Sequence, residues 1–292
     1  MQNDRLMETA AWSDYLRVIN SVRSGKPSNH QIRTQDQIEK AAVDAVDQGL
    51  DAIKTMGATG IPIKNMAILE IGPGQNFGPA LLLAEQASRA IVADLYLAGW
   101  QPDYHPQVYQ SMQQKLGRPS RRLDAVVAQN GYDGIIETLT EPAHDLKSIA
   151  DETIDLIYSG AVLEHVHSLD KTADELFRVT RRGGYGVHQV DFRYHRTFDR
   201  PLEYLLLSSE EFEKLHWRTF GEIGCQTRAR EAEDMFKKAG FDIIHIDNNM
   251  IASDNYMSDF MPRLRSSQVS AYREWPPSEL SIISACFFLR KP

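Results

Sequence analysis

The sequence predicts an α/β fold built on parallel strands, and three observations carry that expectation. An apolar run from Met66 to Ile71 ends in glycines and passes at once into a helical pattern, Pro79-Ala-Leu-Leu-Leu-Ala-Glu-Gln-Ala. A second strand-like run, Arg89-Ala-Ile-Val-Ala-Asp94, follows it closely. A third, Ile154 to Ser159, is apolar enough to be buried. A strand, a glycine turn and a helix in that order make the floor of a ligand crevice in a parallel sheet.

The bulk properties set limits. At 292 residues the chain has room for one large domain, or for a domain with an added cap. With 42% hydrophobic and 25% charged residues it reads as a soluble globular protein. A net charge of −8 disfavours nucleic acid as an obligatory partner, because phosphate binding needs a basic face. Cys225 and Cys286 are the only cysteines, which gives no disulfide framework and no CxxC pair, so a cytoplasmic location is expected. No apolar run has the length of a membrane span, and the first residues lack the apolar centre of a secretory signal.

Taken in order, residues 1–62 read as an N-terminal helical extension and 63–292 as the main domain. Apolar groups at Leu6, Ala10, Trp12, Tyr15, Leu16, Val18 and Ile19 suit short helices over 5–23, and 24–29 reads as a loop. A longer helix is expected over 34–57, with Thr34 as N-cap and Ile38, Ala41, Ala42, Ala45, Leu50, Ile53 and Met56 as its apolar stripe. It either covers a ligand or packs on the sheet. The glycine stretch is Ile68-Leu-Glu-Ile-Gly-Pro-Gly-Gln-Asn-Phe-Gly78. Gly72 and Gly74 let the backbone turn and approach a ligand closely, and Gly78 lets the helix start pack tightly on the strand. Its third glycine falls one residue later than in the dinucleotide fingerprint, and Glu70 precedes the first. Asp94 closes the second strand, where a carboxylate can accept from both hydroxyls of a ribose.

Residues 96–131 carry Tyr96, Trp100, Tyr104, His105 and Tyr109 among prolines, with helical patterns near 106–117 and 121–129. These aromatics form either a substrate wall or a small satellite core. A third strand is expected over 133–139. The fourth leads into Ser159-Gly-Ala-Val-Leu-Glu-His-Val166. A fifth strand is expected over 185–192. A helix over 230–239, stopped by Gly240, leads to a sixth over 241–248, and 281–289 reads as the last.

The glycine stretch resembles motif I of class I S-adenosylmethionine (SAM) dependent methyltransferases, and the run from His144 through "SGAVLEHV" is similar to a later segment of the same family. The resemblance covers about residues 64–292, with family-variable insertions at about 99–131 and 193–228. It implies a Rossmann-like sheet of seven strands in the order 3-2-1-4-5-7-6, the last antiparallel. It implies SAM as cofactor, held by Glu70, Gly72, Gly74, Asn76, Asp94, Leu95, Asp145, Leu146 and Ser159. In that assignment Asp145 accepts from the adenine amine, and Leu146 offers its backbone amide and an apolar contact. A small-molecule acceptor is implied, with a homodimer left open.

On the substrate side the candidates are His165, His188, Asp191 and His195. Three readings stand for them: a histidine general base, a divalent metal on His188, Asp191 and His195, or a structural hydrogen-bond network. The base ranks above the metal, and no metal site is expected. His188 and Asp191, three apart, face opposite ways on a regular strand. Arg193, Arg196 and Arg200 either receive an anionic substrate or pair with surface acids. The loop 218–230 is a candidate flap over the pocket, and Cys225 has no activating neighbour in sequence. The expected reaction is methyl transfer to a small molecule, foremost O-methylation of a sugar or another hydroxylated metabolite. N-methylation of an amine and a non-catalytic SAM-binding subunit are the alternatives. A nicotinamide-dependent oxidoreductase is disfavoured by the late glycine and by Leu163-Glu164-His165.

Overall fold

A computed structural model describes residues 34–218 and 223–292. The helices expected over 5–23, the loop 24–29 and part of the 218–230 loop lie outside the described residues. Helix α1 (Gln35–Ala58) begins at Thr34 as expected. Thr34 Oγ1 accepts from the Gln37 amide at 3.3 Å, and Gln37 Oε1 accepts from the Thr34 amide at 2.9 Å. This reciprocal pair satisfies two amides that no helical carbonyl could reach.

The sheet follows. Strand β1 (Ala67–Ile71) leads into helix α2 (Gly78–Ala84), and β2 (Arg89–Ala93) into α3 (His105–Leu116) and α4 (Arg121–Gln129). Next come β3 (Glu137–Leu139), β4 (Ile154–Gly160), helix α5 (Leu169–Val179) and β5 (Thr180–Asp191). Helices α6 (Ser209–Arg218) and α7 (Ala229–Ala239) precede β6 (Asp242–Ile251). Helix α8 (Asp254–Ser266) and the short α9 (Pro277–Leu280) then lead to β7 (Ile282–Arg290). The seven strands lie in the order β3-β2-β1-β4-β5-β7-β6. Strand β7 is antiparallel to both β5 and β6, and the β1–β5 pairings are parallel. The expected order and the expected reversal of the last strand are both present.

Successive strand residues serve opposite faces, and both faces are buried. Leu69, Ile157, Val190 and Phe287 join α5 and α7 in one core. Ile68, Leu156, Val187 and Phe288 pack toward Ala52 and Met56 of α1 on the other side. The N-terminal helix is therefore a layer of the sandwich. Gly78 makes room for it: a Cβ there would lie 2.5 Å from the Ala45 Cβ. The close approach that Gly78 permits is thus between α2 and α1.

Strand β3 is shorter than expected, since residues 133–136 form a turn. Strand β5 is longer, starting at Thr180 and running through Gly183 and Gly184. The insertion after β5 joins α8 and α9 in a separate core of Tyr194, Leu202, Tyr204, Phe212, Phe260 and Leu280. Arg228, fully buried, ties this cap to the sheet. Its guanidinium donates to the Phe192 carbonyl at 2.8 Å, to the Leu280 carbonyl at 3.1 Å and to the Ile282 carbonyl. It also reaches the Tyr204 hydroxyl at 2.8 Å. No helix among the described residues is long and apolar enough to cross a membrane.

Gly78→Ala is expected to cost about 1–3 kcal/mol by overpacking the α1–α2 contact. Adding Ala45→Gly should recover part of the loss. Urea denaturation of the two variants checks this, and a neutral Gly78→Ala would show that the helices can separate freely.

Candidate functional site

A cleft of about 550 Å³ opens at the carboxyl ends of β1, β2 and β4. Ile71, Gly72 and Gly74 line it from β1, and Asp94, Leu95 and Tyr96 from β2. Pro142, Ala143 and His144 come from the loop after β3. Ala161, Val162, His165, Val166 and His167 follow β4, and His216 and Trp217 end α6.

Gly72 has φ +66°, and a Cβ there would lie 2.3 Å from Val162 Cγ2. Both the turn and the contact with the segment after β4 therefore need glycine. Glu70 lies beneath this loop, almost fully buried. The Ala80 amide hydrogen-bonds to its carboxyl group, while Oε2 has no partner among the described residues. Burial pushes its pKa up to about 8. Asn76 uses its side chain inside the loop, where Oδ1 accepts from the Gly78 amide at 2.9 Å.

The aromatics after β2 hold the loop from behind. His105 Nδ1 accepts from the Gln101 amide at 2.7 Å, so Nε2 carries the proton and donates to the Gln75 carbonyl at 2.8 Å. Tyr109 donates to the Asn76 carbonyl at 2.8 Å and meets the Tyr132 hydroxyl at 2.8 Å. Of the two readings for this segment, the satellite core holds, and Tyr96 alone of its aromatics lines the cleft.

Asp94 stands at the mouth of the cleft. Its Oδ1 accepts from the Tyr96 amide at 2.7 Å, and burial raises its pKa. Leu95 beside it is exposed into the same space. The expected adenine contacts need correction. The Leu146 side chain is fully buried in the core, and its amide already donates to Glu175 Oε1 at 2.6 Å. Asp145 pairs with Lys147 at 2.8 Å. Neither lines the cleft; Pro142, Ala143 and His144, just upstream, do.

After β4 the chain makes a tight turn. Ala161 holds φ +54°, and Leu163–His165 form a single 3₁₀ turn. The turn sends Leu163 and Glu164 inward and His165 to the cleft wall. Glu164 is fully buried, and burial pushes its pKa up to about 8. The His165 and His195 rings lie 5.0 Å apart, edge to face.

Asp191 and His195 come together, with Oδ2 and Nε2 3.6 Å apart. Burial alone would raise the Asp191 pKa, but the close His195 imidazole and hydrogen bonds from Arg193 outweigh it and hold the carboxylate well below its usual range. Arg193 Nη2 lies 2.6 Å from Asp191 Oδ2. His188 goes elsewhere. It is fully buried, stacked 5.6 Å from Phe236, with Nδ1 2.9 Å from Ser159 Oγ. Burial pushes its pKa down to about 3, so it stays neutral. The alternation on β5 points it away from Asp191, and neither His188 nor Ser159 lines the cleft. Arg200 pairs with Glu203 and Asp259, and burial pushes the Cys225 thiol up to about 12.

A family model described as a methyltransferase domain matches residues 43–246, more than half of the chain. The chain belongs to this methyltransferase family. No curated protein matches the sequence. Among solved structures the methyltransferase is similar to a SAM-dependent methyltransferase from Mesorhizobium loti, at 14% identity and TM-score 0.46, covering 82% of this chain and 96% of that one. It is also similar to phosphoethanolamine N-methyltransferase 2 of Haemonchus contortus in complex with SAM, at 16% identity and TM-score 0.48, covering 90% and 59%. The cofactor of the methyltransferase is SAM. The glycine floor that excludes a Cβ and the carboxylate at the end of β2 fit that cofactor.

His167 follows strand four beside His165 in the sequence but was not among the candidate site residues, and sequence reasoning missed His216 and Trp217 as wall residues. His167 follows "LEHV" directly and was legible as its continuation. The Trp217 ring lies 4.2 Å from that of His167, tilted by 49°, a contact between distant segments that no local pattern announces.

Glu70 yields a pH test. Its folded pKa, about 8, lies above the unfolded value. Between roughly pH 4.3 and the folded value, the native state holds a proton that the unfolded chain has released. Stability therefore falls as pH rises through that window and levels off above it. Glu70→Gln removes this component, so its melting temperature should gain on the parent's between about pH 5 and about pH 8. Parallel pH profiles of the two proteins would contradict a neutral buried Glu70.

Proposed function

We propose that this methyltransferase methylates a hydroxyl oxygen of a small hydroxylated acceptor, such as a sugar. SAM supplies a methyl group on a sulfonium sulfur, which is already electrophilic. The chain's task is then to bind, orient and exclude water. Gly72, Gly74, Asp94 and Leu95 make the cofactor end of the cleft. Asp94 accepts from the ribose hydroxyls, and Glu70 and Asn76 support the loop from beneath. His165, Val166, His167, His216 and Trp217 make the acceptor end.

One observation carries the choice of oxygen over nitrogen. Among the described lining residues Asp94 is the single carboxylate, and it stands at the cofactor end. An ammonium acceptor would meet no carboxylate among the residues that line the imidazole end of the cleft. A hydroxyl suits that wall, because its proton must leave and an imidazole can take it near neutral pH. His165 and His167 are placed to do so. Asp191 and His195 stand behind His165 as positioning residues, and His188 with Ser159 supports the strand.

Calorimetric titration with SAM, with NADH as control, tests the cofactor end. Asp94→Ala should weaken SAM binding by about tenfold or more, since hydrogen bonds to a charged group contribute roughly 1.5–3 kcal/mol each. Unchanged affinity would remove Asp94 from the site. Isotope-labelled SAM with panels of sugars, other alcohols and amines tests the acceptor. Label recovered on nitrogen alone would replace the proposal with N-methylation.

A further inference from the structure

We propose that Glu164, His165 and His195 bind a divalent transition-metal ion whose open coordination positions face the acceptor end of the cleft. The inference deepens the reading above and rests on it for the nature of the acceptor. The ligand set and its geometry come first. One carboxylate oxygen and one nitrogen from each imidazole all lie within 4.8 Å of one another. The Glu164 Oε1 to His165 Nε2 distance is 4.0 Å. Ligands roughly 2.0–2.2 Å from a common ion lie no more than about 4.4 Å apart, so small side-chain rotations close the group. Two histidines and one carboxylate suit zinc, manganese, cobalt or ferrous iron, and leave positions for exogenous oxygens.

A second observation is independent of the spacing. Glu164 is fully buried, and its carboxylate has only the backbone amides of Glu164 and Asp191 turned toward it, neither in well-formed hydrogen-bond geometry, and no side-chain donor among the described residues. A buried ionised carboxylate without a well-placed donor is costly. Protonation does not remove the difficulty, because the new O–H would need an acceptor in turn. Arg193, the nearby cation, is engaged by Asp191, with Nε to Oδ1 at 2.9 Å and Nη2 to Oδ2 at 2.6 Å. A metal ion on the third side would satisfy Glu164. Asp191 adds negative potential to the site and fixes the His195 ring. The His165 side chain is 34% exposed, which gives an ion a path from the cleft.

The ion would give the acceptor end a specificity that imidazoles alone lack. It would take an acceptor with two adjacent oxygens, a vicinal diol or a hydroxy acid, and lower the pKa of the bound hydroxyl. The O–H bond then breaks with its electron pair left on oxygen, and the proton passes to His167, which lies outside the ligand set. His165 serves as ligand rather than base.

The test uses the whole protein, dialysed against EDTA and titrated with Co²⁺ and, separately, Mn²⁺. One equivalent bound per chain, with visible Co²⁺ bands of a nitrogen-oxygen site, is the expected result. His165→Ala and Glu164→Gln should each weaken Co²⁺ binding at least tenfold. His165 is partly exposed, so its variant keeps the fold even where Glu164→Gln does not. No stoichiometric uptake, or uptake that survives His165→Ala, overturns the site. SAM titration of the metal-free parent separates the two readings. SAM binding without metal uptake sinks the metal site alone, whereas absent SAM binding strikes the methyl-transfer reading beneath it.

Discussion

The structure depends on one topological constraint. Strands β1 and β4 are neighbours, yet the chain leaves them in opposite directions, toward β2 and β3 on one side and β5 on the other. The connections therefore diverge, and a crevice must open between them at the carboxyl ends. The glycine floor, Asp94, the Pro142–His144 loop and the 3₁₀ turn at His165 all border that opening. Helices on both faces of the sheet keep its central strands from shifting, because β1, β4, β5 and β7 bury both rows of side chains.

Two further devices hold the walls in place. Behind the cofactor loop, His105 and Tyr109 bond the carbonyls of Gln75 and Asn76, so an irregular segment is clamped to a helix. On the acceptor side, Trp217 reaches the cleft from the cap, and the cap is tied to the sheet through Arg228. Most of the cleft is thus built from sequence neighbours of the sheet, while His216 and Trp217 reach it from the cap.

That difference explains what the sequence revealed. Strands β1, β2 and β4 declared themselves because fully buried parallel strands are continuous apolar runs, and glycines mark the turn where a Cβ has no room. Asp94 was legible because its place at a strand end follows from the strand itself. Asp145 and Leu146 were misplaced for the opposite reason. The loop after β3 has no period, and the Leu146 amide is taken by Glu175, far away in sequence. His188 was grouped with Asp191 by proximity along the chain, though strand alternation separates them. Glu164 was passed over because an acid beside a histidine looks solvated until a 3₁₀ turn is seen to drive it inward. The cap core, drawn from residues 194–283, has too little local pattern to announce itself.

Arg228 has a consequence for how this enzyme can be altered. Its acceptors belong to Phe192 at the end of β5 and to Leu280 and Ile282 near the end of the chain. The cap between them looks like an interchangeable part, since it has its own core. It is not one. A cap transplanted without the segment before β7 would bring the guanidinium into the interior and leave some of its carbonyls behind. Chimeras meant to change acceptor preference must therefore carry both stretches together, and the natural crossover points lie outside residues 192–282.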